Sequence, residues 1–343
     1  MQLKVIRTIE EFDALADQWN DLLNCSASHV PFLRHEYLAT WWRTLGGGEW
    51  SQGELYVVAG FQAGGSLGAV APLFFSQNKD GEPAIMLLGS IEISDYLDVI
   101  ICPDDASAFI DALLDHLDGP QAPAWKLLDL YNLLEESPTL KLLESSARKR
   151  GWQYTQKRLQ HCPYIPLPGD WEVYLAGIDK KQRHEIRRKL RRAESFEVPV
   201  RWYILQDASA LDEHVDSLFY LMEQDEDKRS FLTPLMREQI RATIHLAFRG
   251  GWLQLAFLDA GGQKVAAYLN FDYGNHIWVY NSGLDFNYSA LSPGWVLLGY
   301  LLIWANENQR TAFDFMRGDE DYKYRFGAID RYIVRAQVER QLS

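Results

Sequence analysis

The chain has 343 residues, of which 47% are hydrophobic and 24% charged, and a net charge of −13. That length suits two domains of about 150 residues each, with the composition of an ordinary globular protein. The acidic balance argues against general nucleic-acid binding, and the longest apolar run, Trp295 to Ala305, falls short of the ~20 residues that a bilayer span needs.

The three cysteines, Cys25, Cys102 and Cys162, lie far apart, which argues against a disulfide framework or a cysteine metal site. The first residues, MQLKVIRTIEEF, hold no apolar signal segment. Together these features read as a soluble protein of a reduced, cytoplasmic compartment that holds no metal.

In chain order, LKVIRT suits a strand. Thr8 with Glu11 then forms a capping box ahead of a helix whose face carries Phe12, Leu15, Trp19 and Leu22. Residues 55–75 read as strand, Gly-Gly turn and strand, since a tight hairpin turn requires positive φ. The same order returns later. VRWYILQ (200–206) suits a strand, Ser209 with Asp212 gives a second capping signal, and Leu211, Val215, Leu218 and Met222 form the stripe. Residues 253–271 then repeat the hairpin, with Gly-Gly at 261–262. Two ordered matches at a nearly constant offset predict two copies of one α+β unit. PYIPLPGDWEVY (163–174) marks the junction, because Pro166, Pro168 and Gly169 interrupt regular structure. The expected domains are 1–165 and 166–343.

Four stretches carry candidate chemistry. In GSIEISDYLDVIIC (89–102), Asp95 and Asp98 flank Tyr96 at a strand mouth, as general bases or as turn formers. In DKKQRHEIRRKLRRAE (179–194), eight of the thirteen residues from Lys180 to Arg192 are basic, while Ile186, Leu190 and Ala193 recur on one face. This is an amphipathic helix whose outer face, with Arg187, Arg188, Arg191 and Arg192, is either a solvated surface or a polyanion contact. HIWVYNSGL suits a strand and GWVLLGYLLIWANE a buried helix. Between them, Ser292 is placed as N-cap, Pro293 as first helical residue and Gly294 as a point of close approach. No acidic side chain lies in that first turn, so it is either a capped core helix or an anion site at residues 292–296. Finally, FDFMRGDEDYKYRFG (313–327) crowds seven charged and five aromatic residues around Gly318.

These residues resemble the two-domain branch of the GNAT acyltransferase superfamily. The likeness is carried by KKQRHEIRRKLRR, GGQKVAAYLNF, LSPGWVLL and FDFMRGDEDYKYRFG, with SDYLDV in the first half. The nearest branch is that of the cellulose-biosynthesis acetyltransferase-like (CelD-like) proteins, related to Fem-type aminoacyltransferases. The resemblance implies tandem GNAT-like domains, each a twisted, mixed, mostly antiparallel sheet flanked by helices. It implies acyl transfer from acetyl-CoA or another acyl-CoA to an amine or hydroxyl of a small-molecule, saccharide or peptide precursor. The donor pyrophosphate would lie on Ser292, Pro293, Gly294, Trp295 and Val296. SALSPGW stands there in place of the superfamily's usual glycine-rich loop. By the same resemblance, Arg317, Gly318, Asp319, Tyr322 and Lys323 would wall the cleft. Asp319 would accept the proton of the attacking amine, Tyr322 would protonate the leaving thiolate, and Lys323 and Arg325 would bind phosphate or an acidic acceptor. Asp95, Tyr96 and Asp98 are placed on the acceptor side. Transfer from an aminoacyl-tRNA is the second reading, and a non-catalytic scaffold in polysaccharide biosynthesis the third.

Overall fold

The computed structural model describes residues 1–340 and divides them into two compact units. In the first unit, β1 (Gln2–Ile6) leads into α1 (Ile9–Asp13), capped by the Thr8 hydroxyl, and α2 (Ala16–Leu23). The single helix expected there is broken at Ala14–Leu15, yet Phe12, Leu15, Trp19 and Leu22 are all buried. After α3 (His35–Gly48) come β2 (Glu54–Leu55), β3 (Val57–Phe61), β4 (Leu67–Ala71), β5 (Leu73–Gln77) and β6 (Pro83–Leu87). β3 and β4 form the expected antiparallel hairpin. Pro72 has no N–H to give a ladder, so the strand is interrupted there and β4 and β5 lie in different sheets. β7 (Ile100–Ile101), α4 (Ala106–Asp118), β8 (Leu127–Leu134), α5 (Pro138–Lys149) and β9 (Gln153–His161) follow.

The second unit opens with β10 (Tyr164–Pro166), α6 (Trp171–Gly177), α7 (Lys180–Glu194) and β11 (Val200–Ile204). α7 is the basic amphipathic helix: Asp179 caps it through the amides of Lys181 and Gln182, and Ile186 and Ala193 are buried. α8 (Leu211–Met222) buries the predicted stripe, but its cap differs from expectation. Asp207, not Ser209, accepts the turn amide, and a short 3-10 turn at Ala208–Ala210 carries the chain into the helix. α9 (Glu226–Phe231) and α10 (Pro234–Arg249) precede β12 (Leu253–Ala260), β13 (Gln263–Tyr273) and β14 (His276–Leu284). Gly261 and Gly262, both at positive φ, make the two-residue hairpin turn. α11 (Pro293–Glu307), β15 (Ala312–Asp314) and α12 (Asp321–Arg325) complete this unit, whose six strands run β10-β15-β14-β13-β12-β11. α8 lies against β13 and β14, and the buried side chains of α6, α7 and α11 share one core cluster with Ala256, Tyr268, Ile277 and Phe313.

The chain then returns to the first unit. β16 (Tyr332–Glu339) pairs antiparallel with β8 and lies between β8 and β9. The units are therefore Met1–Gln160 joined by the strand from Tyr332, and His161–Arg331. This corrects the expected division at 165/166, in which the whole C-terminal stretch belonged to the second domain. The reason is a buried ion pair. Arg335 donates from Nε and Nη2 to the fully buried Asp129 of β8, at 2.8 and 2.7 Å, and fastens β16 there.

A second expectation also changes. Cys25 and Cys102, 77 residues apart, form a disulfide with Cα atoms 5.2 Å apart, and Cys162 is free and buried. Their separation in sequence said nothing of the fold that brings the end of α2 beside the entry to α4.

Candidate active site

In the second unit, β14 and β15 run parallel and pair only at His276–Ala312, Ile277–Phe313 and Trp278–Asp314. Beyond that they part. β14 passes a bulge at Tyr280, where its register against β13 slips by one residue, and continues to Leu284. β15 stops, and Met316 and Gly318 turn the chain away at φ 57° and 107°. Gly294, in the first turn of α11, lies against Leu284 at the end of β14, and the Trp295 ring lies 4.7 Å from that of Phe326.

Ser292 stands at the N-cap position of α11, as expected, but in the left-handed conformation and with no capping bond from its side chain. Pro293 is the first helical residue, and no acidic side chain lies in the first turn. The amides of Gly294 and Trp295 meet no acceptor among the described residues, so this end of α11 keeps two free donors and the positive end of the helix dipole. Pro293 and Val296 are buried, while Gly294 and Trp295 are partly open. The Lys189 ammonium of α7 sits 3.8 Å from the centre of the Trp295 ring, adding a cation beside that turn.

The turn after β15 is built around Lys323. Its ammonium is 3% exposed with the rest of its side chain and donates to the carbonyls of Arg317 (3.0 Å), Gly318 (2.9 Å) and Phe315 (3.4 Å). It also pairs with Glu320 Oε2 at 2.8 Å. This corrects its assignment as a ligand-binding cation, because all three N–H groups are spent inside the turn. Gly318 is required twice over. Its φ suits glycine, and a Cβ there would come within 2.6 Å of Glu320 Oε2, so a side chain would displace the carboxylate from the turn.

Tyr322 is partly buried, edge-on to Phe315 and near buried Tyr268 of β13. Burial pushes the Tyr322 hydroxyl well above the ordinary tyrosine range, with Tyr268 and the nearby Glu320 acting in the same direction. It therefore stays protonated, as a proton donor must. Asp319 is exposed at the turn, Arg325 pairs with Asp321, and Arg317 is partly buried.

Sequence reasoning passed over Lys228, on α9. Its ammonium donates to the Ser282 carbonyl at 2.6 Å and to the Ser282 hydroxyl at 3.3 Å, on the half of β14 beyond its pairing with β15. Burial lowers its pKa, while Asp225 and Glu320 oppose that fall. Within QDEDKRS it read as one charge in a solvated run, and only the tertiary fold turns it inward. Glu320 was seen as part of an acidic trio, and nothing in the sequence distinguished it from Asp319.

The first-unit candidates are buried within their own unit. Asp98 is buried and accepts from Ser28 Oγ (2.6 Å), Ser137 Oγ (2.5 Å) and the Val99 amide (2.8 Å). Burial raises its pKa in spite of those bonds. Asp95 and Tyr96 are also buried, Tyr96 at φ 58°. All three build a closed loop of the first unit, so their placement on the acceptor side is corrected to a structural role. Of the arginines on α7, Arg187 pairs with Glu172 and Arg188 with Glu185, whereas Arg191 and Arg192 are exposed with no ion pair among the described residues.

Residues 180–324 match the model of the acetyltransferase (GNAT) domain. The chain has a tandem GNAT-like fold. No curated protein matches it. Among solved structures it is similar to FemX, at 11% identity over 98% of this chain and 97% of that one, with a TM-score of 0.66. A conserved protein of unknown function from Bacteroides thetaiotaomicron aligns at 13% identity over 99% and 100%, with a TM-score of 0.61. The C-terminal domain of a putative lysylphosphatidylglycerol synthetase from Agrobacterium fabrum aligns at 10% identity over 95% and 92%, with a TM-score of 0.57.

Proposed function

We propose that the second unit binds an acyl-CoA, acetyl-CoA in the first instance, and transfers the acyl group to an amine or hydroxyl of a small-molecule or cell-envelope precursor. The CelD-like branch is the nearest functional context. One observation carries the reading: the first turn of α11, beside the end of β14, has two free amides among the described residues, no acid and Lys189 next to it. That turn suits a pyrophosphate, and the parting of β14 from β15 suits an extended thioester arm. With the thioester carbonyl held between the strands, the amine attacks directly, its proton passes to a carboxylate of the 319–320 turn, and Tyr322 protonates the departing thiolate. Positioning and proton transfer then supply the rate, with no covalent enzyme intermediate.

Gly294→Asp tests the donor placement. An aspartate in a helix's first turn favours the helix, so the fold should tolerate it, with Leu284 yielding slightly to the new Cβ. The same carboxylate would repel a phosphate. Calorimetric titration with acetyl-CoA should show at least tenfold weaker binding, about 1.4 kcal/mol. Equal affinity in the folded variant would remove the site from α11.

The second reading, transfer from an aminoacyl-tRNA, is favoured by the exposed cations Lys180, Lys181, Arg191 and Arg192 on α7, which form no ion pair among the described residues, and goes with the Fem-type resemblance. The acidic remainder of the chain argues for the smaller ligand. Titration of labelled tRNA at several salt concentrations separates the two. Tight binding whose log-log salt slope is several units, abolished by Arg191→Glu with Arg192→Glu, would favour tRNA.

A further inference from the structure

A cavity of about 490 Å³ in the second unit lies between the outer face of α8, the turn at Gly262–Lys264 and the end of β14. Glu213, Asp216 and Tyr220 of α8 line it, at spacings of three and four, so they share one stripe of the helix. That stripe is opposite the buried one of Leu211, Val215, Leu218 and Met222. Across the cavity stands Asp285, the residue after Leu284, which itself lies against Gly294 of α11. Three acids and one lysine leave the lining at a net charge of −2. Each carboxylate is bound through one oxygen only. Lys264 pairs with Glu213 Oε1 at 3.2 Å, Arg241 pairs with Asp216 Oδ1, and Asp285 Oδ1 accepts from the amide and the side chain of Asn287 at 2.9 Å each. The second oxygen of each has no partner among the described residues.

The aromatic side chains supply an independent observation. Among the described residues only two are exposed, Tyr220 at 59% and Phe286 at 56%. One lines this cavity, and the other directly follows Asp285. A single exposed ring is ordinary, but here both stand beside carboxylates with oxygens to spare. Rings can cover methylene groups and attract a cation face-on, while carboxylates accept from its N–H groups. A metal ion fits less well, because no three His, Cys, Asp or Glu side chains among the described residues come together as its ligands would.

We propose that this cavity binds an aliphatic polyamine, with ammonium groups on Asp216 and Asp285 and a methylene segment along the Tyr220 ring. Its volume falls in the range of small-molecule pockets, roughly 300–1,000 Å³. Charges spaced along a chain match carboxylates that stand on two separate walls. The binding does not depend on the acyl-transfer reading, and its test needs no acyl-CoA.

Isothermal titration of the full chain with spermidine at physiological salt tests it, beside Mg2+, whose charge sits at one centre, and butane-1,4-diol, which has none. Spermidine should bind one to one and at least about tenfold more tightly than either. Asp285→Asn keeps an acceptor for Asn287 and should weaken spermidine at least about fivefold. Tyr220→Leu changes no charge, stands at an exposed helix position and should weaken it at least about threefold. Cooperative thermal melts establish that both variants are folded. No saturable binding, Mg2+ binding as tight as that of spermidine, or an unchanged affinity in folded Asp285→Asn would overturn the proposal. So would an unchanged affinity in Tyr220→Leu, which would reduce the effect to general attraction between a polycation and an acidic surface.

Discussion

Between β6 and α4 of the first unit, residues Ile93 to Ile101 are buried without a break, and Asp98 is tied to two serines. The corresponding stretch of the second unit, between β14 and α11, is open over Phe286, Asn287, Ser289 and Ala290. The helices that follow differ in the same sense. α4 is entered through Asp104 and Asp105, which would repel an anion, and α11 through Ser-Pro-Gly. One copy of the unit has filled this corner with its own chain, and the other leaves it exposed. The scaffold is thus present twice, and the exposed corner once.

β8 of the first unit and β15 of the second make the opposite point, because there the copies agree. Asp129 on β8 and Asp314 on β15 are both fully buried, and each pairs with an arginine of the same short stretch, Arg335 and Arg331 respectively. The neighbouring strand has a different origin in each unit. It is β16 in the first and β10 in the second. The sheet position is conserved between the copies while the segment that fills it is not.

The comparison can be broken most forcefully at that shared pair. Asp129→Ala leaves the Arg335 guanidinium buried beside Asn78 with no carboxylate except the exposed Asp80, and should cost about 3–5 kcal/mol in urea denaturation. A loss below about 1 kcal/mol would show that β16 is held by strand pairing alone. The disulfide comes next, because only the first unit has one. Cys25→Ser should lower stability by about 2–4 kcal/mol, and a thiol reductant should bring the native protein to the same melting temperature. A reductant without effect would show that the two cysteines are not joined in solution.

Smaller effects sharpen the contrast at the plugged corner. The folded Asp98 carboxyl has a raised pKa, so it contributes stability that is present below the ordinary aspartate range and lost as pH rises through the folded value. Asp98→Asn keeps an acceptor oxygen for Ser28 and Ser137 and cannot ionise. Relative to the native chain it should therefore gain in urea midpoint as pH rises from about 4 to 7, with a net difference of at most about 1 kcal/mol at neutral pH. Acetyl-CoA affinity should not change, since the proposed donor site belongs to the other unit. A native chain that gains stability over this range relative to the variant would mean that Asp98 serves as a charged group.

Local patterns in the sequence were enough for several of these elements. The capping box at Thr8, the Gly-Gly turn at 261–262, the strand His276–Leu284, the basic helix and the Ser-Pro-Gly entry to α11 all rest on neighbours a few residues apart, where spacing and backbone chemistry decide the outcome. Order and offset of such patterns also revealed the duplication. Tertiary structure alone decided the rest. It brought Cys25 to Cys102, returned β16 to the first unit and turned Lys228 toward Ser282. It also spent Lys323 inside its own turn. A charged side chain reads alike in sequence whether it faces water, a carbonyl or a ligand. Which of these it meets depends on burial and on groups tens or hundreds of residues away.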